Sequence, residues 1–220
     1  MDGNPKVISI FNNLQLRYAQ LQACQQEIWD SYLIMNACFA QGNKLLLCGN
    51  GGSACDALHI VGELMKEFTQ KRTIDTEVKQ YLQEQATSES EYLLSRLQGT
   101  MPAISLVENA GLASAVNNDI AGDLQFAQQT YGLGNPGDVL VCLSTSGNSI
   151  NVYYAALTAK ARGMKVISFT GQGGGKLYGI SDVCIRVPET ETYLLQELHL
   201  PIYHALCRML EANSFASGTE

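Results

Sequence analysis

The 220-residue chain reads as an α/β protein, a five-stranded parallel sheet wound by helices on both faces, with a helical extension at its N-terminus. Two observations predict this. Five short β-branched or leucine-rich runs, at residues 44–48, 103–107, 138–143, 165–169 and 182–187, alternate with helix-period segments. A sheet connected that way is parallel and is covered on both faces. Two of the runs break into loops of small residues that lead straight into helical patterns, and ligands of such sheets sit beyond the carboxyl ends of the strands.

Residues 1–43 make the extension. From 7 to 40, apolar residues recur at helical spacing (Ile10, Leu14, Leu21, Ile28 and Leu33, with Trp29 and Phe39 between) without proline, so one or two long helices are expected. Apolar around much of its circumference, this segment needs more than one surface to cover it, and a partner subunit is expected. The α/β unit occupies 44–213: strand 44–48, helix 53–68, strand 103–107, helix 111–131, strand 138–143, helix 150–162, strand 165–169, a short helix around Lys176, strand 182–187 and a final helix over 192–212. One segment breaks the alternation. The polar stretch 69–99, with Gln70-Lys71-Arg72 and Ser88-Glu89-Ser90-Glu91, is expected to form a solvated helical hairpin rather than a lid. The tail 214–220 is expected to be disordered.

A net charge of −7 leaves no basic footprint for a polyphosphate backbone, so no nucleic acid is expected as a partner. No apolar run approaches the roughly 18 residues of a membrane span, and the start has no signal-peptide core; a cytoplasmic protein with no membrane partner is expected. Seven cysteines, an odd number without a C-x-x-C pair, read as small buried hydrophobes in a reducing compartment. Cys55 lies in the first turn of a helix, where the dipole favours a thiolate, and is expected to pack behind the loop.

The chemistry concentrates at the two loops. Asn50-Gly51-Gly52-Ser53 joins a strand to a helix N-terminus and so offers backbone N–H groups and the positive end of a helix dipole to an anion. In the second loop Ser144, Thr145, Ser146 and Ser149 supply four hydroxyls just before a helix, more than N-capping needs. With no P-loop lysine and no G-x-G-x-x-G, the pair of loops suits a phosphate monoester on a small molecule, with no nucleotide cofactor. His59 and Glu63 share a helix face through their i, i+4 spacing. Gln196 and His204 lie about 80° apart on an ideal helix, so both are expected to lean into one cleft, Gln196 as a substrate contact as well as a candidate metal ligand, whereas His199, about 140° from His204, is expected to be a satisfied packing residue. Pro201 is expected to kink that helix. Two chemistries fit these side chains: a carboxylate and an imidazole sharing proton transfer at a carbon next to a carbonyl, or His59, Glu63, Gln196 and His204 holding a divalent metal such as Zn²⁺.

The segments CGNGGSACDALHIVGEL, NNDIAGD, GDVLVCLSTSGNS, GMKVISFTGQGGGKL, SDVCIRVPETET and QELHLPIYH together resemble the sugar-isomerase (SIS) domain, and within it the phosphoheptose isomerases. The resemblance implies a flavodoxin-like five-stranded sheet and conversion of sedoheptulose 7-phosphate to D-glycero-D-manno-heptose 7-phosphate. It implies phosphate binding by Ser53, Ser144, Thr145, Ser146 and Ser149, sugar contacts from Asn50 and Asp119, Glu63 as base and His204 as acid. The metal of some members would fall on His59, Glu63, Gln196 and His204, and a homotetramer is implied. Three departures bear on which sugar is used: Glu67 and Leu194 stand where the family commonly has arginine, and the 69–99 insertion is absent from the well-known heptose enzymes. Two other functions share the domain, a non-catalytic assembly protein like the one that gathers replication-initiator subunits, and a sugar-phosphate-sensing module. Neither needs the acid and base, and Glu63 and His204 favour the enzyme.

Overall fold

A computed structural model describes residues 4–215. The extension is α1 (Pro5–Arg17), a 3₁₀ stretch (Ala19–Cys24) and α2 (Gln25–Ala40). Asn4 starts α1 by accepting from the Lys6 N–H, and Pro5 follows where a missing N–H costs nothing. The remaining elements are β1 (Leu45–Gly49), α3 (Gly52–Met65), α4 (Thr76–Gln85), α5 (Ser88–Arg96), β2 (Ala103–Ser105), α6 (Ala110–Asp119), α7 (Gln125–Leu133), β3 (Val139–Leu143), α8 (Ile150–Ala161), β4 (Lys165–Gly171), α9 (Gly175–Tyr178), β5 (Val183–Val187) and α10 (Thr192–Ser214).

The strands pair in the order β2-β1-β3-β4-β5, all parallel. The chain leaves β1 toward one edge and returns in β3 on the other side, so the topological switch lies between these two strands. Gly49 at the end of β1 is paired with Leu143 at the end of β3. Both small-residue loops therefore start from neighbouring points. The two-residue period sorts the strand side chains. Leu45, Leu47, Val139, Val141, Leu143, Ile167 and Phe169 meet α1, α2, α3 and α10, while Leu46, Cys48, Leu140, Cys142 and Val166 meet α7, α8 and α9.

Several expected helices are revised. The helix over 111–131 is two, because Ile120 leaves helical conformation (φ −122°, ψ −81°) at the end of α6. α3 stops at Met65, not 68, where Lys66 is extended and the Arg72 guanidinium takes the carbonyls of Glu63 and Leu64. α10 runs through Pro201 as one element to Ser214, and Phe215 packs beneath Arg72, its ring centroid 5.1 Å from the guanidinium carbon. The expectation of disorder from 214 thus fails for these two residues, and 216–220 lie outside the described residues. In the 69–99 insertion α4 packs on α5 and has no buried residue, and Thr87 and Ser90 open α5 with a reciprocal capping box.

Candidate active site

The first loop and the second are tied to each other. The Asn50 and Asn151 side chains exchange two 2.9 Å hydrogen bonds, fixing the start of α3 against the start of α8. Gly51 turns the chain at φ +55°, and no side chain caps α3 behind it. Gly52 lies against the Gln196 amide, so that a Cβ here would stand 2.4 Å from Gln196 Nε2 and push that side chain aside. Ser53 is buried in the first turn of α3. In the second loop Ser144 Oγ and Ser149 Oγ are 3.0 Å apart. Ser149 occupies the N-cap of α8 without capping it, so its hydroxyl is not spent on the helix. Ser146 Oγ accepts from the Asn148 N–H at 3.1 Å, and the Thr145 carbonyl accepts from Gly171 at 2.9 Å. Gly147 holds φ +66°, where a Cβ would meet the Gly174 carbonyl oxygen at 2.0 Å. Two helix N-termini without side-chain caps and a set of short hydroxyls thus share the mouth of the switch point, a cradle for an anion.

Farther along α3, a second cluster forms. His59 Nε2 lies 3.2 Å from Glu63 Oε1 and 3.5 Å from His204 Nε2 of α10. Phe68 and Tyr203 wall the imidazole of His204, with ring centroids 5.5 and 5.0 Å away. Glu63 Oε2 is buried and has no hydrogen-bond partner, the nearest cation being Lys66 Nζ at 3.8 Å. Burial, then the charges of His59 and Arg208, lower the pKa of His204 against the opposing pull of Glu63. The imidazole is therefore neutral at pH 7. A carboxylate oxygen free to accept a proton sits beside a ring able to give one.

Not every expected residue joins them. Gln196 is on the same helix as His204 but about 12 Å of rise away, and its amide rests on Gly52 at the cradle instead of at His59. Asp119 is exposed at the end of α6, accepting from Asn118 at 2.8 Å. His199 is fully buried against Phe169, as a packing residue, with Nε2 3.4 Å from the Thr170 carbonyl but Nδ1 unpartnered, so only one side is satisfied. Six cysteines are buried, whereas Cys55 is exposed on α3 and does not pack behind the loop, because the buried face of that helix is Ser53, Ala57, Ile60 and Leu64.

A phosphoheptose isomerase of Rhodospirillum rubrum is 38% identical to this chain over 194 residues, which cover 88% of this chain and 89% of that one. The chain belongs to the phosphoheptose isomerase family. The SIS domain model matches residues 93–171. Solved phosphoheptose isomerases from Francisella tularensis (TM-score 0.72, 30% identity, 96% of this chain and 98% of that one) and Neisseria gonorrhoeae (TM-score 0.64, 30% identity, 89% and 96%) share its five-stranded α/β fold.

Within this family member, three residues escaped the sequence reading. Arg72, part of a polar run expected in solvent, is buried and pairs with buried Glu211 at 2.8 Å. Asp56 and Tyr203 hydrogen-bond to each other at 3.2 Å, and the Tyr203 hydroxyl is 3.1 Å from His59 Nδ1. Their partners are 139 to 147 positions away in sequence, beyond any periodic signal. Glu67, which stands where the resemblance implies arginine, accepts from the Arg72 N–H on its carboxylate and donates its own N–H to Gln98 Oε1, so it serves the base of the insertion.

Proposed function

We propose that this phosphoheptose isomerase family member interconverts sedoheptulose 7-phosphate and D-glycero-D-manno-heptose 7-phosphate through an enediol(ate). The observation that carries the reading is the buried, unpartnered Glu63 oxygen beside His204, on the helix that begins at the anion cradle. Ser53, Ser144, Thr145, Ser146 and Ser149, with the loop N–H groups of Gly51 and Gly52, hold the phosphate in this reading, and Asn50 and Asp119 contact the sugar. Gly52 to Glu63 is about 16 Å of helix rise, shortened because helix side chains lean toward the N-terminus. The reacting carbon thus lies at the far end of an extended sugar from its phosphate. Glu63 removes the proton from the carbon next to the carbonyl while His204 protonates the carbonyl oxygen; Glu63 then returns its proton to the former carbonyl carbon as His204 recovers one from the hydroxyl on the carbon first deprotonated, which becomes the new carbonyl.

A divalent cation, Zn²⁺ by family resemblance, suits the donor types of His59, Glu63 and His204. Their separations of 3.2 and 3.5 Å match the about 3.3 Å edge of a tetrahedron with Zn–N and Zn–O bonds near 2.0–2.1 Å. Among the described residues no three His, Cys, Asp or Glu side chains already form a metal-holding group, and Gln196 stands at Gly52. When bound, such an ion would polarise the carbonyl as a Lewis acid. The reading also takes the enzyme to be a cytoplasmic homotetramer; Leu16 of α1, 82% exposed, is among the apolar side chains a partner subunit would cover. Among the described residues no helix is long and apolar enough to cross a membrane. The test is turnover of a panel of ketose phosphates, before and after chelation. Conversion of sedoheptulose 7-phosphate ahead of the others is expected, and turnover of a different ketose alone would overturn the substrate. Loss of rate on chelation with recovery on adding Zn²⁺ is expected; an unchanged rate would remove the metal.

A further inference from the structure

Both ring nitrogens of His59 are engaged. Nε2 faces Glu63 Oε1 and His204 Nε2, and Nδ1 faces the Tyr203 hydroxyl. That hydroxyl has one proton, and it is given to Asp56 Oδ1 at 3.2 Å. Asp56 as a carboxylate can only accept. The Tyr203 oxygen is then left as an acceptor, and the group that fills it is His59 Nδ1–H. We propose that Asp56 and Tyr203 are positioning residues that hold His59 in its Nδ1–H form, so that the Nε2 lone pair is presented to Glu63 and His204.

The consequence is local to the proton-transfer cluster. Glu63 Oε1 is an acceptor, and a lone pair on His59 Nε2 facing it at 3.2 Å is unfavourable unless something positive lies between or beside them. A proton carried by Glu63, the Nε2–H of His204, or a divalent cation each answers that need. The opposite tautomer would fill the position with its own N–H and tie up the Glu63 oxygen. Asp56 and Tyr203 thus keep the cluster ready to receive positive charge, the task of an outer carboxylate behind a functional histidine. Burial raises the pKa of Asp56 above the ordinary carboxylate value, against the smaller opposing pull of the Tyr203 hydroxyl and of His59. The Tyr203 ring is almost wholly buried, so the hydroxyl is held at a fixed point rather than free to swing.

This inference rests on the isomerase reading, and its test separates the two. The full chain, labelled with ¹⁵N-histidine and freed of metal by chelation, is examined at pH 7.5 by two-bond ¹H–¹⁵N correlation, which distinguishes the imidazole tautomers. Wild-type His59 should show a protonated Nδ1 and an unprotonated Nε2. Tyr203→Phe retains the buried ring and should move His59 toward the Nε2–H form, lowering kcat on sedoheptulose 7-phosphate about 10–100-fold with little change in KM. Asp56→Asn, whose amide can donate as well as accept, should shift the tautomer in the same direction and serves if the tyrosine variant does not fold. The buried His199 signal reports whether the fold is intact. An Nε2–H tautomer in the wild type, or one that neither substitution moves in a folded protein, would overturn the proposal. Absence of isomerase activity in the wild type would overturn the isomerase reading and would leave the tautomer measurement unaffected.

Discussion

His199 and His204 are five positions apart on one helix and live in opposite worlds. His204 meets a carboxylate and another imidazole at the edge of α3, while His199 is sealed against Phe169 and β4. Desolvation pushes the pKa of His199 down to about 4, opposed by its contact with the Thr170 carbonyl. In the unfolded chain a histidine titrates near 6.5. Between the two values the unfolded state binds the extra proton, so stability falls as pH drops. The contribution is complete above about 6.5, is lost progressively toward 4, and amounts to at most about 3 kcal/mol. Urea midpoints measured from pH 7 to pH 4 should fall less steeply for His199→Leu than for the wild type, and equal slopes would contradict this account. The 140° wheel offset correctly set His199 apart from His204. It carried no information about Nδ1, which the packing of β4 leaves without a partner.

At the scale of elements, the separation of Glu63 from His204 is set by how α3 ends against α10. Arg72 Nη2 and Nη1 donate to the Glu63 and Leu64 carbonyls at 2.8 and 2.6 Å, and its Nε donates to Glu211 Oε1 of α10 at 2.8 Å. Glu211 also accepts from the Phe68 and Thr69 N–H groups and the Thr69 hydroxyl. Burial alone raises its pKa, but these donors outweigh it and the net shift is downward. One ion pair therefore closes the C-terminus of α3 and fixes it to the helix that carries His204. Removing one partner leaves the other charge buried without compensation, so Arg72→Met should cost about 3–5 kcal/mol in chemical denaturation. Arg72→Lys should recover little of it, because a single ammonium cannot serve two carbonyls and a carboxylate in that planar arrangement. A loss below 1 kcal/mol would mean the pair is dispensable. The strands were legible because apolar runs buried on two faces look alike in sequence and in space. The break between α6 and α7 was not, since 111–131 keeps a helical pattern through the residues where Ile120 turns away.

For the molecule as a whole, the doubly wound topology does most of the functional work. It delivers two loops to one switch point and starts from it the helix that bears Glu63, so local spacing was enough to locate the loops and the His59–Glu63 face. Long-range pairings were out of reach: no periodicity links Asp56 to Tyr203 or Arg72 to Glu211, and the wheel angle between Gln196 and His204 ignored the axial distance that sends them to opposite ends of α3. The central claim is that Glu63 moves a proton at the carbon next to a sugar carbonyl. The most direct measurement is solvent deuterium entry into sedoheptulose 7-phosphate, followed by NMR, for the wild type and for Glu63→Gln. Deuterium should appear at that carbon with the wild type, and Glu63→Gln should slow its entry about 10²–10⁴-fold while still binding the sugar phosphate. Exchange undiminished in Glu63→Gln would contradict the account.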